Sequence, residues 1–517
     1  MIPGRDRRLE TYPAHGGLPD AGLLGRRPRA AVVGGGIAGL TAATGLAERG
    51  VEVTVFERER HLGGRAGGWD ERLPDGTAVT MSRGFHAFFR QYYNLRALLA
   101  RTDPGLDRLT EVPDYPLVDR RGRTDTFAGL PLTPPFNALA FALRSPTFTA
   151  RDLVRLNGPR ALPLATVSVP RIYEQLDHVD AATFLTAINF PAAARHLAFE
   201  VFSRSFFADP GELSAAELAT MFHLYFLGSA EGLLFDVPAE PFPQALWDPL
   251  AGYLTGLRAE IRTGVAVSGI RREAAGFRVG GEAYDAVVLA CDVPGLQRVL
   301  AGSPDLGTPG WRATVEDLRT APPFLVRRLW LDRPVRADRP AFLGTGGLPP
   351  LDNISVLERY EGEARRWARR HRGSVVELHA YAAGADTGRV TREMDERLHR
   401  IYPETADAGL IGEVTLVRQD CPLFPVGGFA RRPTVGTPEP GLVLAGDAIR
   451  VDLPVALMER AATTGWSAAN TLLRGWGLLG HPLRSVPNRG RIPLLERLVS
   501  GHGFRGNPDD GRQLRTR

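Results

Sequence analysis

The sequence predicts an α/β fold: a Rossmann-like dinucleotide-binding domain, discontinuous along the chain, with an inserted α+β substrate-binding domain. Three observations predict it. An apolar run at residues 30–33 meets a G-x-G-x-x-G turn at Gly34, Gly36 and Gly39, followed by an Ala/Leu-rich helical segment. A second strand-like run, Val51 to Phe56, ends in Glu57, 18 residues after Gly39 (57 − 39). A third apolar run ends in Gly446-Asp447, about 380 residues further on, and reads as a buried strand.

Each element has a physical role. Gly34 permits the tight turn, Gly36 lets the backbone approach a pyrophosphate, and Gly39 lets the helix pack closely on the strand. The free N–H groups at the start of that helix, around Ile37 and Ala38, are the expected seat of the diphosphate. Glu57 is placed to accept both ribose hydroxyls of an adenosine, and its charge disfavours a 2′-phosphate. The bland alternative is an ordinary βαβ unit that binds nothing. A weaker piece is Thr263–Ser268, read as a strand, followed by a hairpin and the buried run Tyr284–Ala290. No second G-x-G-x-x-G precedes a helix. Gly344–Gly347 runs into Leu-Pro-Pro, which reads as a turn, so no NAD(P)H site is expected.

Composition narrows the chemistry. With 517 residues, 44% of them hydrophobic, the chain can bury a large core and is expected to form two domains. No run of 18 apolar residues occurs, so a membrane-spanning helix is not expected. Residues 1–28, rich in Arg, Gly and Pro, read as a flexible leader on a cytoplasmic protein. The two cysteines, Cys291 and Cys421, cannot supply a metal cluster or a disulfide framework. All 63 basic residues are arginine, which excludes Schiff-base and lysine general-base chemistry. A net charge of +5 with dispersed arginines gives no support to a nucleic-acid partner, and leaves weak attraction to anionic lipid.

The stretch Glu57-Arg58-Glu59-Arg60-His61-Leu62-Gly63-Gly64-Arg65-Ala66 resembles the signature of the flavin family that includes amine oxidases, protoporphyrinogen oxidases and carotenoid desaturases. The resemblance implies FAD. It assigns Gly63 and Gly64 to close passage by the diphosphate and Arg65 to its neutralisation, with Arg58 and Ala66 alongside. It assigns Asp447, after Gly446, to a ribityl hydroxyl. It also places the N-terminus of a helix starting at Ala456, Leu457 and Met458 against the flavin, where its positive end would favour reduced flavin. Gly84 and Val267 complete the expected cofactor contacts. Arg460 departs from this pattern, standing where relatives usually carry glycine.

The string Gly84-Phe85-His86-Ala87-Phe88-Phe89-Arg90-Gln91-Tyr92-Tyr93-Asn94, with Cys421–Gly427, resembles the carotenoid φ-ring synthases from Ala30 to about Leu479. That family desaturates and aromatises a β-ionone ring with a methyl shift from C1 to C2. The resemblance therefore implies a lipophilic carotenoid substrate, an unidentified electron acceptor and a location peripheral to the membrane. Phe85, Phe88, Phe89, Tyr92 and Tyr93 are candidates for an aromatic wall around a ring cation, and His86 for the proton acceptor. His86 reads equally as a structural histidine, and Arg90 as structural. The alternatives are a desaturase or isomerase of linear carotenes, and a non-catalytic flavin- or lipid-binding protein. An amine oxidase fits less well, since its relatives commonly keep a lysine near the flavin.

The expected cofactor domain comprises residues 29–105, 256–310 and 426–480, and the substrate domain 106–255 and 311–425. Residues 129–143 read as an access loop and a short amphipathic helix, suited to a membrane surface or to an internal hairpin. Met221–Leu227 reads as core, and residues 481–517 as a tail, disordered from Ser500.

Overall fold

The structure, a computed structural model, describes residues 6–198, 207–384 and 386–490. Five strands form one all-parallel sheet in the spatial order Glu260–Thr263, Glu52–Glu57, Arg29–Val33, Ala286–Leu289, Leu442–Leu444. The chain winds outward from Arg29–Val33 in both directions, so the order reverses between that strand and Ala286–Leu289. In open α/β sheets the crevice at such a reversal, beyond the carboxyl ends of the strands, is where ligands bind. Gly34, Glu57, Ala290 and Gly446 all lie at those carboxyl ends.

The Ile37–Ala47 helix is buried along its whole length, and the Leu457–Gly475 helix packs against it. Glycine makes the approach feasible. A Cβ at Gly465 would stand 2.4 Å from the Ala38 carbonyl oxygen, and one at Gly45 would stand 2.7 Å from Ala469 Cβ. Glycine in a helix interior costs about 1 kcal/mol relative to alanine, so its presence at both crossings marks a packing requirement.

A seven-stranded sheet covers this unit, in the order Leu410–Arg418, Phe324–Leu331, Ser374–Ala380, Leu351–Val356, Phe342–Leu348, Leu117–Val118, Thr124–Asp125. Its pairs are antiparallel except Phe342–Leu348 with Leu117–Val118. Gly344–Gly347 lies in a strand of this sheet, and the turn falls on the two prolines after it. One continuous hydrophobic core joins the two sheets.

Three expectations are corrected. From Asp6 onward, residues 6–28 are packed structure. Glu10–Tyr12 pairs antiparallel with Leu483–Ser485, and the buried Asp6 carboxylate accepts from Tyr93 Oη at 2.5 Å and from Ser229 Oγ and the Ala230 amide at 3.0 Å. A three-residue strand is too short to show a period, and its partner lies in the supposed tail, of which residues 481–490 are likewise packed. Ser500 and the rest of the tail lie outside the described residues. Thr263 ends its strand, because Gly264 turns with φ +72° and residues 264–269 leave the sheet; a three-stranded meander over 270–284 follows. Met221–Leu227 is largely buried core, as its spacing suggests.

Candidate functional site

The Gly34–Gly39 turn is built as its glycines require. A Cβ on Gly39 would stand 1.8 Å from the Gly34 carbonyl oxygen, and Gly34, at φ +115°, lies against the Ala290 carbonyl. Gly36 differs: a Cβ there meets only Gly64 Cα, at 3.7 Å, and so projects into open space. Gly36 is also the N-cap of the Ile37–Ala47 helix and gives it no side-chain cap, so the first amides of that helix are open to an anion. Glu57 is buried, with one oxygen on the Gly35 amide (2.6 Å) and the other on the Glu59 amide (2.8 Å). Each oxygen keeps a second lone pair for a hydroxyl. Arg58 reaches Glu59 and Asp292 instead of the groove. Val267 is half-buried against the core.

The Gly63–Ala66 turn closes over the first one. Gly63 bridges to Gly36, with its amide on the Gly35 carbonyl at 2.9 Å, and both Gly63 and Gly64 take positive φ. Trp247, which sequence reading did not single out, braces this turn: its indole N–H donates to the Ala66 carbonyl at 2.6 Å. A Cβ on Gly63 would stand 2.2 Å from that nitrogen. Arg65 crosses to Asp447 in a 2.5 Å ion pair. Thr464 Oγ1 accepts from the Gly446 amide at 2.9 Å, and its one hydroxyl proton is shared among the carbonyls of Arg460 (2.9 Å), Gly446 and Ala461 (both 3.0 Å). Ala456 caps the Leu457–Gly475 helix without a side-chain bond, and Leu457 begins it at φ +53°, a conformation costly for leucine.

A groove therefore runs from Glu57 past two uncapped helix starts, with a cation and a carboxylate between them. These residues fit FAD: open amides and Arg65 for the diphosphate, Glu57 for the adenosine ribose, and Asp447 for the ribityl chain.

The hairpin Gly68–Arg72 and Ala78–Ser82 carries the chain from this turn to Arg83 and Gly84. Gly84 (φ +93°) abuts the His379 imidazole; a Cβ would stand 2.5 Å from it. A pocket opens here, lined by Phe85, His86, Phe242, Tyr360, Glu361 and Glu377 among others. His86 Nδ1 donates to the Gly84 carbonyl at 2.8 Å, which leaves Nε2 as the free acceptor, and Phe242 lies edge-on to the ring. Burial pulls the imidazole down to about 4, against the pull of the Gly84 carbonyl, so it is neutral at physiological pH.

The strands of the seven-stranded sheet bring a polar cluster to the same wall, one that sequence reading missed. Register sets Arg328 opposite Glu377, and they form a buried ion pair at 2.7 Å. Glu377 also meets His379 at 2.9 Å, and despite burial the charge of Arg328 holds it at about 2. The Glu361 carboxylate has no hydrogen-bond or ion-pair partner among the described residues and is pushed by burial up to about 7. The only sequence signal was alternation: Glu377 and His379 share one face of the Ser374–Ala380 strand. The pocket therefore carries buried charge beside the expected aromatic faces and His86.

The aromatic candidates divide. Phe85 reaches the pocket and packs on Phe342 (4.5 Å) and Phe235 (5.6 Å). Phe89 packs on Tyr225 at 4.5 Å, and Phe88 is fully buried. Tyr92 is buried with its hydroxyl on Tyr225 Oη at 2.6 Å, and Tyr93 is tied to Asp6. None of these last four lines the pocket beside His86. Arg90 pairs with Glu111 and Asp236, a structural role.

The model of the flavin containing amine oxidoreductases matches residues 37–473. The chain is 59% identical over 504 residues to a carotenoid phi-ring synthase of Streptomyces griseus, covering 96% of this chain and 97% of that one. It is 27% identical to a carotenoid phi-ring synthase of Chlorobaculum tepidum, over 89% and 91% of the two chains. Among solved structures, cyclohexylamine oxidase from Brevibacterium oxydans shares the fold at a TM-score of 0.62 and 16% identity, over 87% of this chain and 99% of that one. A reduced UDP-galactopyranose mutase does so at 0.60 and 14%, over 87% and 94%.

Proposed function

The chain belongs to the flavin-containing amine oxidoreductase family, among its carotenoid φ-ring synthases, and we propose from that premise that its reaction is aromatisation of the β-ionone ring of β-carotene. It is an FAD-dependent oxidoreductase acting on CH–CH groups. The observation that carries the reading is identity at 59% along nearly the whole chain, which spans both the cofactor groove and the His86 pocket.

Each ring loses two hydride–proton pairs, and one methyl group moves from C1 to C2 within the ring. Bound FAD supplies the hydride acceptor, and an unidentified acceptor takes the electrons onward. The chain's residues then have three tasks. Phe85, Phe242 and Tyr360 exclude water from a ring cation and offer it aromatic faces. Phe89 and Tyr92, one layer behind, hold that wall through Phe235 and Tyr225. Protons pass to the free Nε2 of His86, and Glu361 is a second acceptor in the same pocket. Ring cations with a C–H beside the charge are strong acids, so a base of His86's weakness suffices.

Access to a membrane-dissolved carotenoid is by the Phe136–Arg144 helix. Phe136, Leu139 and Leu143, at i, i+3 and i+7, are 61%, 50% and 63% exposed, and Arg144 closes the helix. That pattern suits a face lying in a lipid surface, with arginine toward headgroups. No helix among the described residues is long and apolar enough to cross a membrane. Pigment analysis of β-carotene-producing cells that express the chain tests the reaction, and co-sedimentation with vesicles tests the face.

A further inference from the structure

Arg460 lies three residues into the helix whose start faces the cofactor groove, yet it is only 3% exposed. A buried guanidinium is costly unless its charge and donors are satisfied. Its Nε donates to the Val455 carbonyl at 3.0 Å and its Nη1 to the Asp447 carbonyl at 3.4 Å. One side chain thus ties together both ends of the connection from the Gly446-Asp447 turn to the helix start. Its Nη2 donates to Glu217 at 2.8 Å, from the Ala215–Phe222 helix of the covering layer.

Glu217 is fully buried and is shared, since Arg432 Nη2 holds its other oxygen at 2.5 Å. Both guanidinium groups lie over the Phe424 ring, Arg432 at 4.7 Å and Arg460 at 4.8 Å. Two cations share this one carboxylate, and Asp177 stands close to Arg432 as a second anion, on the side away from the Arg460 contacts. The other nearby carboxylates have partners of their own. Asp447 is paired with Arg65, Asp420 with Arg83 and Asp452 with Arg450. Asp177 binds Ser214 Oγ and the Phe429 amide, while Glu459 turns to the Asn94 and Leu95 amides, where burial pushes it up to about 8.

We propose that Arg460 is a positioning residue that fixes the 447–456 connection and, balanced by Glu217 against Arg432, places a permanent positive charge that raises the reduction potential of the bound FAD. The demand is chemical. A hydride must leave a ring carbon that no heteroatom activates, so a more oxidising flavin is favoured.

The test is the midpoint potential of the FAD-loaded protein, measured by reductive titration against a reference dye. Arg460→Gln should lower it and Glu217→Gln should raise it. Each should change the ratio of oxidised to reduced flavin affinity about tenfold, ~30 mV for a two-electron couple. The double variant, which loses one charge of each sign, should return close to the parent. Arg460→Lys should keep the potential while weakening FAD binding, because the charge stays and the carbonyl bonds do not. Shifts of the same sign in both single variants, or none, would overturn the proposal. Should Arg460→Gln fail to fold, Glu217→Gln decides alone: a rise supports the proposal, a fall or no change defeats it. The readout needs bound FAD but no carotenoid, so a protein that shifts potential yet leaves β-carotene untouched would refute the substrate and not this role.

Discussion

Arg65 and Asp447, 382 residues apart in the chain, meet in a 2.5 Å ion pair that joins the two halves of the cofactor groove. Each residue closes the protein's own structure, and in the proposed reading each also presents charge to the ligand. Arg65→Ala should weaken FAD binding about 10- to 100-fold, the range of one charge-assisted hydrogen bond. Flavin absorbance per protein after purification and dilution checks this, and a variant that keeps full flavin would remove Arg65 from the site.

The glycines separate folding from binding. Gly36→Ala should fold with an unchanged melting temperature but lose FAD, because its methyl group enters only the open groove. Gly39→Ala should fail to fold, because its methyl group meets the Gly34 carbonyl oxygen at 1.8 Å. Thermal melts with and without added FAD distinguish the two.

His86 and Glu361 predict different dependences on pH. Glu361, at about 7, accepts a proton only when ionised, so turnover that depends on it should rise through pH 7 and lose that rise in Glu361→Gln. His86, at about 4, is already neutral there, so His86→Ala should lower the rate at every pH from 5 to 9 without altering the profile. Unchanged turnover in His86→Ala, with FAD bound, would show that imidazole to be structural.

Stability should fall in acid. Glu217 and Glu377 sit at about 2 in the folded protein, below the ordinary glutamate value. A lowered carboxylate contributes stability above its unfolded pKa, and that contribution is lost as pH falls through the folded value. Denaturant melts should therefore lose stability between about pH 4.5 and 2. Glu217→Ala, which strands two buried cations, should cost about 3–5 kcal/mol at neutral pH.

The proposed lipid contact of the Phe136–Arg144 helix can be tested separately. Leu139→Glu with Leu143→Glu should reduce co-sedimentation with anionic vesicles and slow turnover of vesicle-borne carotene. FAD content should not change. Equal sedimentation of parent and variant would place membrane contact elsewhere.

Much of the cofactor groove was legible because its constraints are local. A turn at Gly34, a close passage at Gly36 and a carboxylate at Glu57 each leave a residue type at a fixed spacing. The pocket was less legible. Arg328 faces Glu377 through strand register, and Trp247 reaches Ala66 across 181 residues, and neither relationship leaves a local signature. The aromatic string was over-read for a similar reason. Five aromatics in nine residues suggest one wall, but the strand Phe88–Phe89 and the helix Tyr93–Leu99 aim them in different directions, and Tyr93 is claimed by Asp6. Arg460 looked like a misfit until Glu217 and Phe424 supplied its surroundings.

The most direct test of the central claim is mass analysis of carotenoid after incubating the FAD-loaded protein with β-carotene in lipid vesicles. The account predicts a product four hydrogens lighter per ring with an unchanged carbon count, which requires the methyl group to stay within the molecule. Unaltered β-carotene beside protein that binds and reduces FAD, or a product that has lost carbon, would contradict it.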